Sequence, residues 1–447
     1  MLDVEALRAR FPALAAADGD GRRVVHADAP GGTQVPETVV TAMADYLRNC
    51  NANQHGPFER SRRTDALCAK VREQAASFLG GDAGGVVFGP NMTSLTFHFS
   101  RALGSAEGAW AGGDTTDSAE GAWAGGDTTD SAEGAWAGGD TTASAEGATV
   151  RVGRGDELVC TRLDHDANVS PWLALAERTG AVVRWVPLAS DGTLVTAALD
   201  EVVTPRTRLV AFPRASNALG TLVEPAPFVA AARAVGALTF MDAVHAAPHV
   251  ALDQVRDGVD VLVCSPYKFF GPHAGILSAD PALLASLRPD KARPAPDAGP
   301  ERWQTGTAPF EAIAGVGAAC DYLAEVGMAA IREHEVSLSR RFLDGLERLP
   351  HVRLHGPRDP RRRTPTFAVT LDGRDPAAAA EQLAARGVHV WSGHYYAVEP
   401  MRALGLLDHG GAVRVGFAHY HGPADVDRVL EALAELRPAG RRGGVGA

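Results

Sequence analysis

The chain has 447 residues, 45% of them hydrophobic, enough to bury more than one core, and it carries a net charge of −11. That balance gives no electrostatic case for nucleic acid or an anionic membrane, and no run of about 18 uncharged apolar residues reads as a transmembrane helix. The start Met1–Glu5 does not read as a secretory leader, and the five scattered cysteines (Cys50, Cys68, Cys160, Cys264, Cys320) read as neither a disulfide framework nor a metal site, so a reducing cytoplasm is the expected default.

In chain order, the first informative run is Val86-Val87-Phe88, of strand type. Asn91-Met92-Thr93-Ser94 follows it and opens a helical stretch over Leu95–Ala102. Hydroxyls and free backbone N–H groups at a helix start suit a phosphate. The same residue types also make an ordinary N-cap. Residues 105–148 hold the unit SAEGAWAGGDTTD at 105–117 and 118–130, again at 131–143 with Ala143 last, and a partial fourth copy. A Gly/Ala/Thr-rich unit of this length lacks a core-forming period. It reads as a tandem duplication looped out on the surface; the alternative is an arm presenting Trp110, Trp123 and Trp136.

From 150 to 280 strands alternate with helices. Leu158–Leu163, Val182–Leu188, Arg208–Phe212, Leu238–Met241 and Val259–Cys264 are compact apolar runs, and Trp172–Thr179 and Pro227–Val235 are helical between them. This alternation predicts a largely parallel sheet covered by helices, with ligands beyond the carboxyl ends of the strands. His165, Asn217, Asp242 and Lys268 each follow a different strand. A Pro-rich stretch at 293–296 precedes a long helical region, roughly Pro309–Leu349, so a domain boundary is expected near 290. The Gly/Arg-rich residues 437–447 read as a frayed tail.

Lysine occurs three times, at 70, 268 and 291, against forty arginines among the 43 basic residues. Lys268 sits in the apolar run VLVCSPYKFFGP. A buried lysine has a depressed pKa, and its neutral amine forms imines, which arginine cannot do. A snorkelling lysine is the alternative. Asp242 at a strand end suits a protonated pyridine nitrogen or a plain helix cap. His165, in DHDAN, suits a flat cofactor or a structural role.

Together the motifs NMTS, DHDAN, SNALGT, MDAVH, SPYKFFGP, QTGT and RVG, in this order from about His26 to Leu436, resemble the class V aminotransferase family, closest to its cysteine-desulfurase-like, selenocysteine-lyase-like branch. The resemblance implies an α/β protein with the pyridoxal-phosphate (PLP) type I fold. Its large domain over 26–290 carries a mostly parallel seven-stranded sheet, and a smaller C-terminal α+β domain covers 291–436. An N-terminal segment, 1–25, packs with the smaller domain.

The resemblance also implies roles. Lys268 binds the cofactor as a Schiff base and moves the Cα proton, Asp242 pairs with the ring nitrogen, and His165 stacks on the ring. Met92, Thr93 and Ser265 hold the phosphate. Asn217 lies near the phenolic oxygen or the substrate carboxylate, and His245, in place of a Gln, hydrogen-bonds the phenolic oxygen. Thr307 reaches the phosphate of the other subunit in a homodimer with shared active sites. Arg414 clamps the α-carboxylate of an amino-acid substrate, with His394 and Tyr396 beside it.

Three positions depart from the family. Tyr396 stands where a persulfide-forming cysteine belongs, Tyr267 replaces a His, and Trp391 replaces a second carboxylate-binding Arg. The expected activity is a cysteine-desulfurase-like or C–S lyase reaction without a protein persulfide. An epimerase or aminotransferase, and a non-catalytic descendant, are the alternatives. The loops around Asn53, His55 and Trp391–Tyr396 are expected to shape the pocket.

Overall fold

The computed structural model describes residues 2–104 and 150–436, apart from residues 16, 18–20 and 22. The repeats and the tail therefore lie outside the described residues. The insertion's two flanks are joined, with the Val152 N–H donating to the Leu103 carbonyl at 3.1 Å.

Seven strands form the larger sheet: Val86–Gly89 (β1), Glu157–Thr161 (β2), Val182–Val186 (β3), Thr207–Pro213 (β4), Leu238–Asp242 (β5), Val261–Cys264 (β6) and Gly275–Ala279 (β7). Their order is β1-β7-β6-β5-β4-β2-β3, and only β7 runs against its neighbours. The strands are near-continuous apolar runs because helices cover both faces. Side chains alternate across the pleat. Phe88, Val159, Val210, Phe212, Met241 and Leu262 enter one core with the helices Glu59–Leu79, Ala226–Val235 and Phe310–Val326. Val87, Leu158, Leu209, Ala211, Phe240 and Val261 enter the other, against Leu95, Phe99 and Leu103 of the helix Met92–Leu103 and against Trp172.

Four antiparallel strands make the smaller sheet: Val352–His355 (β8), Thr366–Leu371 (β9), Trp391–Gly393 (β10) and Ala412–Gly416 (β11), in the order β10-β11-β9-β8. The helices Met328–Leu346 and Pro423–Glu435 share its core through Phe342, Leu346, Val429 and Leu433.

The long helix expected over 309–349 is two helices, Phe310–Val326 and Met328–Leu346, bent by 74°. Gly327 stands at the break with φ 85°, a left-handed conformation that ends the first helix at little steric cost. The core changes there too. Ile313, Val316 and Leu323 pack with the large sheet, and Leu338 and Phe342 with the small one, so the composition change near 290 and the change of core do not coincide. The N-terminal segment touches both units. Arg8 pairs with Asp425 of the last helix at 2.7 Å, both buried, while Phe11 packs edge-on against Phe270 and Tyr322. Among the described residues, no single helix is long and apolar enough to cross a membrane.

Candidate active site

A cavity of about 480 Å³ opens at the carboxyl ends of β4, β5 and β6. Its walls include Met92, Thr93, His165, Asn217, Asp242, His245, Ser265, Lys268, His394, Tyr396 and Arg414. Every residue expected to hold the cofactor or the substrate within the same subunit is therefore in one place.

Lys268 is set on a short turn directly after β6. Its N–H donates to the Ser265 carbonyl at 3.0 Å. The turn is held from outside by Thr33, whose N–H donates to the Tyr267 carbonyl (3.0 Å) and whose Oγ1 accepts from the Phe270 N–H (2.8 Å). Phe270 is held at φ 69°, a left-handed value that bulky residues rarely adopt. Lys268 Nζ donates to the Pro30 carbonyl. Burial, then the Arg414 cation, lowers the Lys268 ammonium to about 7, against a smaller opposing pull from Asp242. A substantial neutral-amine fraction therefore exists near pH 7.

Asp242 ends β5 and accepts from the Val244 N–H at 2.8 Å. Burial raises its carboxyl to about 6, with that hydrogen bond and Lys268 acting the other way. A cationic partner in the cavity would keep it ionised. His165 follows β2. Its Nδ1 accepts from the Ala167 N–H at 3.0 Å, which leaves Nε2 as the position for the proton of the neutral ring. Burial, then Lys268 and Arg414, lowers it to about 3, so it is neutral at physiological pH.

The helix Met92–Leu103 points its N-terminus into the cavity. Asn91 caps it, Oδ1 accepting from the Ser94 N–H at 2.8 Å, and the Met92 N–H reaches Ser265 Oγ at 3.2 Å. Backbone approach here is close. A Cβ on Gly275 would stand 2.3 Å from the Asn91 carbonyl carbon and 2.7 Å from the Met92 nitrogen.

Arg414 comes from β11, opposite Trp391 of β10. It is buried, donates to the Asn217 carbonyl at 3.0 Å, and its guanidinium carbon lies 4.4 Å from the centre of the Tyr395 ring. Desolvation lowers it only to about 10, so it stays a cation. Asn217 Nδ2 donates to the Tyr395 carbonyl at 2.9 Å. Asn217 Oδ1 and Arg414 Nε are buried without a hydrogen-bond partner. Such orphaned polar atoms beside a cavity fit a polar occupant.

Some expectations are revised. The Nε2 of His245 lies 3.1 Å from Thr364 Oγ1 and 3.0 Å from Thr366 Oγ1, so this nitrogen is turned to the small domain while the residue still lines the cavity. Thr364 and Thr366 come from a part of the chain that no sequence spacing connects to His245. Thr307, expected to serve the other subunit's cofactor, is exposed and stands outside this cavity. Asn53 and His55 are exposed and stand outside the cavity wall. Sequence reading missed Pro30 and Gly31, although the run Ala29-Pro30-Gly31-Gly32 was a turn signal of the kind that brings backbone close to a ligand. All five cysteines are buried and none lines the cavity.

The donor set fits pyridoxal phosphate: a helix N-terminus with Ser265 and Thr93 for the phosphate, a deep carboxylate for the ring nitrogen, and a lysine lowered to about 7. The chain matches the family profile "Aminotransferase class-V" over residues 25–115 and 138–429. It is 29% identical to a probable cysteine desulfurase of Streptomyces coelicolor, with 98% of each chain covered. It is 30% identical to a cysteine desulfurase of Klebsiella pneumoniae subsp. pneumoniae, covering 97% of this chain and 98% of that one. The apo structure of cysteine desulfurase from Thermococcus onnurineus superposes with a TM-score of 0.81 at 24% identity, with 98% of each chain covered.

Proposed function

The chain belongs to the class V aminotransferase family and is a cysteine-desulfurase-like enzyme dependent on pyridoxal phosphate; from that premise we propose that it breaks the C–S bond of a cysteine-type amino acid without loading the sulfur onto a cysteine of its own. One observation carries the reading. Lys268, Asp242, His165 and Arg414 share a cavity whose wall holds no thiol, and Tyr396 occupies the segment where the resemblance places the sulfur acceptor.

Bound pyridoxal phosphate supplies an electron sink for the pair left at Cα when its proton is removed. Arg414 receives the substrate carboxylate, and the unpaired Asn217 Oδ1 accepts from the amino group. Lys268 would hold the cofactor and, when its amine is free, would take the Cα proton as a base poised near neutrality. His165 flanks the ring as a neutral imidazole. The Cβ–S bond then breaks with its electron pair going to sulfur, which takes a proton, and water converts the remainder to pyruvate and ammonia. Cysteine and one water thus become sulfide, pyruvate and ammonia, with no reductant required. The same reading makes the protein a cytoplasmic homodimer in which the exposed Thr307 serves the partner's cofactor.

The test is product analysis of the loaded enzyme on L-cysteine without added thiol. Sulfide and pyruvate in equal amounts, with unmodified protein mass, are expected. Alanine with a protein heavier by one sulfur atom would overturn the proposal. The D-enantiomer, or a keto acid retaining sulfur, would reassign it to an epimerase or an aminotransferase.

A further inference from the structure

Three aromatic side chains are exposed among the described residues, namely Phe58, Trp391 and Tyr396, and two of them line the active-site cavity. Trp391 is 53% exposed and Tyr396 67%. Large apolar side chains held in water at a cavity mouth mark a binding surface.

Both rings are positioned from behind. The indole of Trp391 rests on the bare Cα of Gly31, where a Cβ would stand 2.2 Å from Nε1. The Tyr396 ring lies parallel to His165, with centroids 5.6 Å apart and planes at 22°. Tyr395 and Tyr396 are consecutive non-glycine residues in left-handed conformation, φ 53° and 58°. Such backbone persists where its surroundings over-determine it, and it clusters at ligand clamps. Here the Tyr396 carbonyl accepts from the Asp166 N–H at 2.6 Å. The Tyr395 carbonyl accepts from Asn217, and the Tyr395 hydroxyl donates to the Ala412 carbonyl. No ring contact joins Trp391 to Tyr396 among the described residues, so the two do not cover each other.

Direction follows from the sheet. Trp391 is the cross-strand partner of Arg414, so both project from one face of the β10–β11 pair. Arg414 is the buried end and Trp391 the exposed end. A substrate anchored by its carboxylate at Arg414 lies in the same cavity as the two rings. Free cysteine stops at its sulfur and presents no group to them.

We propose that the substrate is a cysteine S-conjugate whose sulfur substituent carries a planar aromatic ring, received between Trp391 and Tyr396. This rests on the C–S cleavage proposed above. The Cβ–S bond breaks with its pair on sulfur, the ring-bearing thiol leaves after taking a proton, and one water completes pyruvate and ammonia.

The test compares kcat/KM for S-benzyl-L-cysteine, S-methyl-L-cysteine and L-cysteine, read as pyruvate. Calorimetry adds the affinity of L-homophenylalanine relative to L-alanine, neither of which has a C–S bond. A preference of about tenfold or more for the benzyl over the methyl conjugate is expected, with homophenylalanine bound tighter than alanine. Trp391→Ala and Tyr396→Ala should each shrink both ratios, and Trp391→Phe should restore part of them. Cleavage of cysteine or the methyl conjugate with no aromatic preference, or ratios unmoved in both alanine variants, would overturn the aromatic clamp alone. A panel in which no C–S bond is cut would overturn the proposed reaction; homophenylalanine bound no tighter than alanine would then overturn the clamp as well.

Discussion

Replacing Gly275 by Ala tests how the sheet presents the helix N-terminus that is assigned to the phosphate. Gly275 begins β7, pairs with Gly89 of β1, and has no positive φ, so its role is space alone. The new Cβ would lie 2.3 Å from the Asn91 carbonyl carbon, 2.6 Å from the Asn91 oxygen and 2.7 Å from the Met92 nitrogen. Carbon contacts need about 3.5 Å, so the backbone at Asn91–Met92 must retreat by roughly 1 Å. Overpacking of this kind costs about 1–3 kcal/mol, and the obstacle here is backbone, which cannot rotate away. Were the phosphate held at this helix start, a 1 Å retreat would also break one amide–phosphate hydrogen bond, worth about 1.5–3 kcal/mol, and weaken cofactor binding roughly ten- to a hundredfold. Urea unfolding and titration of the cofactor-free protein with pyridoxal phosphate read the two effects separately. Gly153→Ala is the control, since its Cβ would meet only Asp156 Oδ2 at 3.8 Å. A Gly275→Ala protein with unchanged unfolding midpoint and cofactor affinity would refute the argument that this glycine sets the cradle.

Four further outcomes are expected. Borohydride reduction of the loaded protein should add the cofactor's mass to the wild type and not to Lys268→Ala; equal labelling would remove Lys268 from its role. Lys268 is lowered from its usual 10.5 to about 7, so between those values the unfolded chain holds the extra proton and the cofactor-free fold gains stability as pH rises. Urea midpoints of the wild type relative to Lys268→Met should accordingly climb from pH 7 to pH 9, and parallel curves would contradict the depressed pKa. Arg414→Ala should raise KM for the amino acid while leaving cofactor affinity intact, whereas loss of cofactor would show that Arg414 is no carboxylate clamp. Glu335→Ala removes the buried hydrogen-bond partner of His249, 2.9 Å away, and should destabilise the fold by about 1–3 kcal/mol in denaturant titration. A loss below 1 kcal/mol would show that the pair is not needed to hold the seam between the two domains.

The strands of the large sheet were legible because each is a short apolar run bounded by polar or glycine residues. The observed β4, β5 and β6 lie within two residues of the expected runs. The chemistry-bearing residues were legible for a related reason: in a parallel sheet they must follow strand ends, and Asp242 and Lys268 do. The break at Gly327 was not legible, since its flanks are equally helical in composition and only packing against two different cores decides where the axis turns.

Composition and order by themselves determined the alternation of strand and helix, the lone apolar lysine and the absence of a thiol in the segment around Tyr396. Tertiary structure alone decided which atoms stay unpaired. It turned His245 Nε2 to Thr364 and Thr366, and it brought Pro30 to Lys268. It also left Asn217 Oδ1 and Arg414 Nε without partners. These contacts join residues up to 238 positions apart. Local propensity and periodicity act over a few turns of chain, so only the docking of the two sheets could select them.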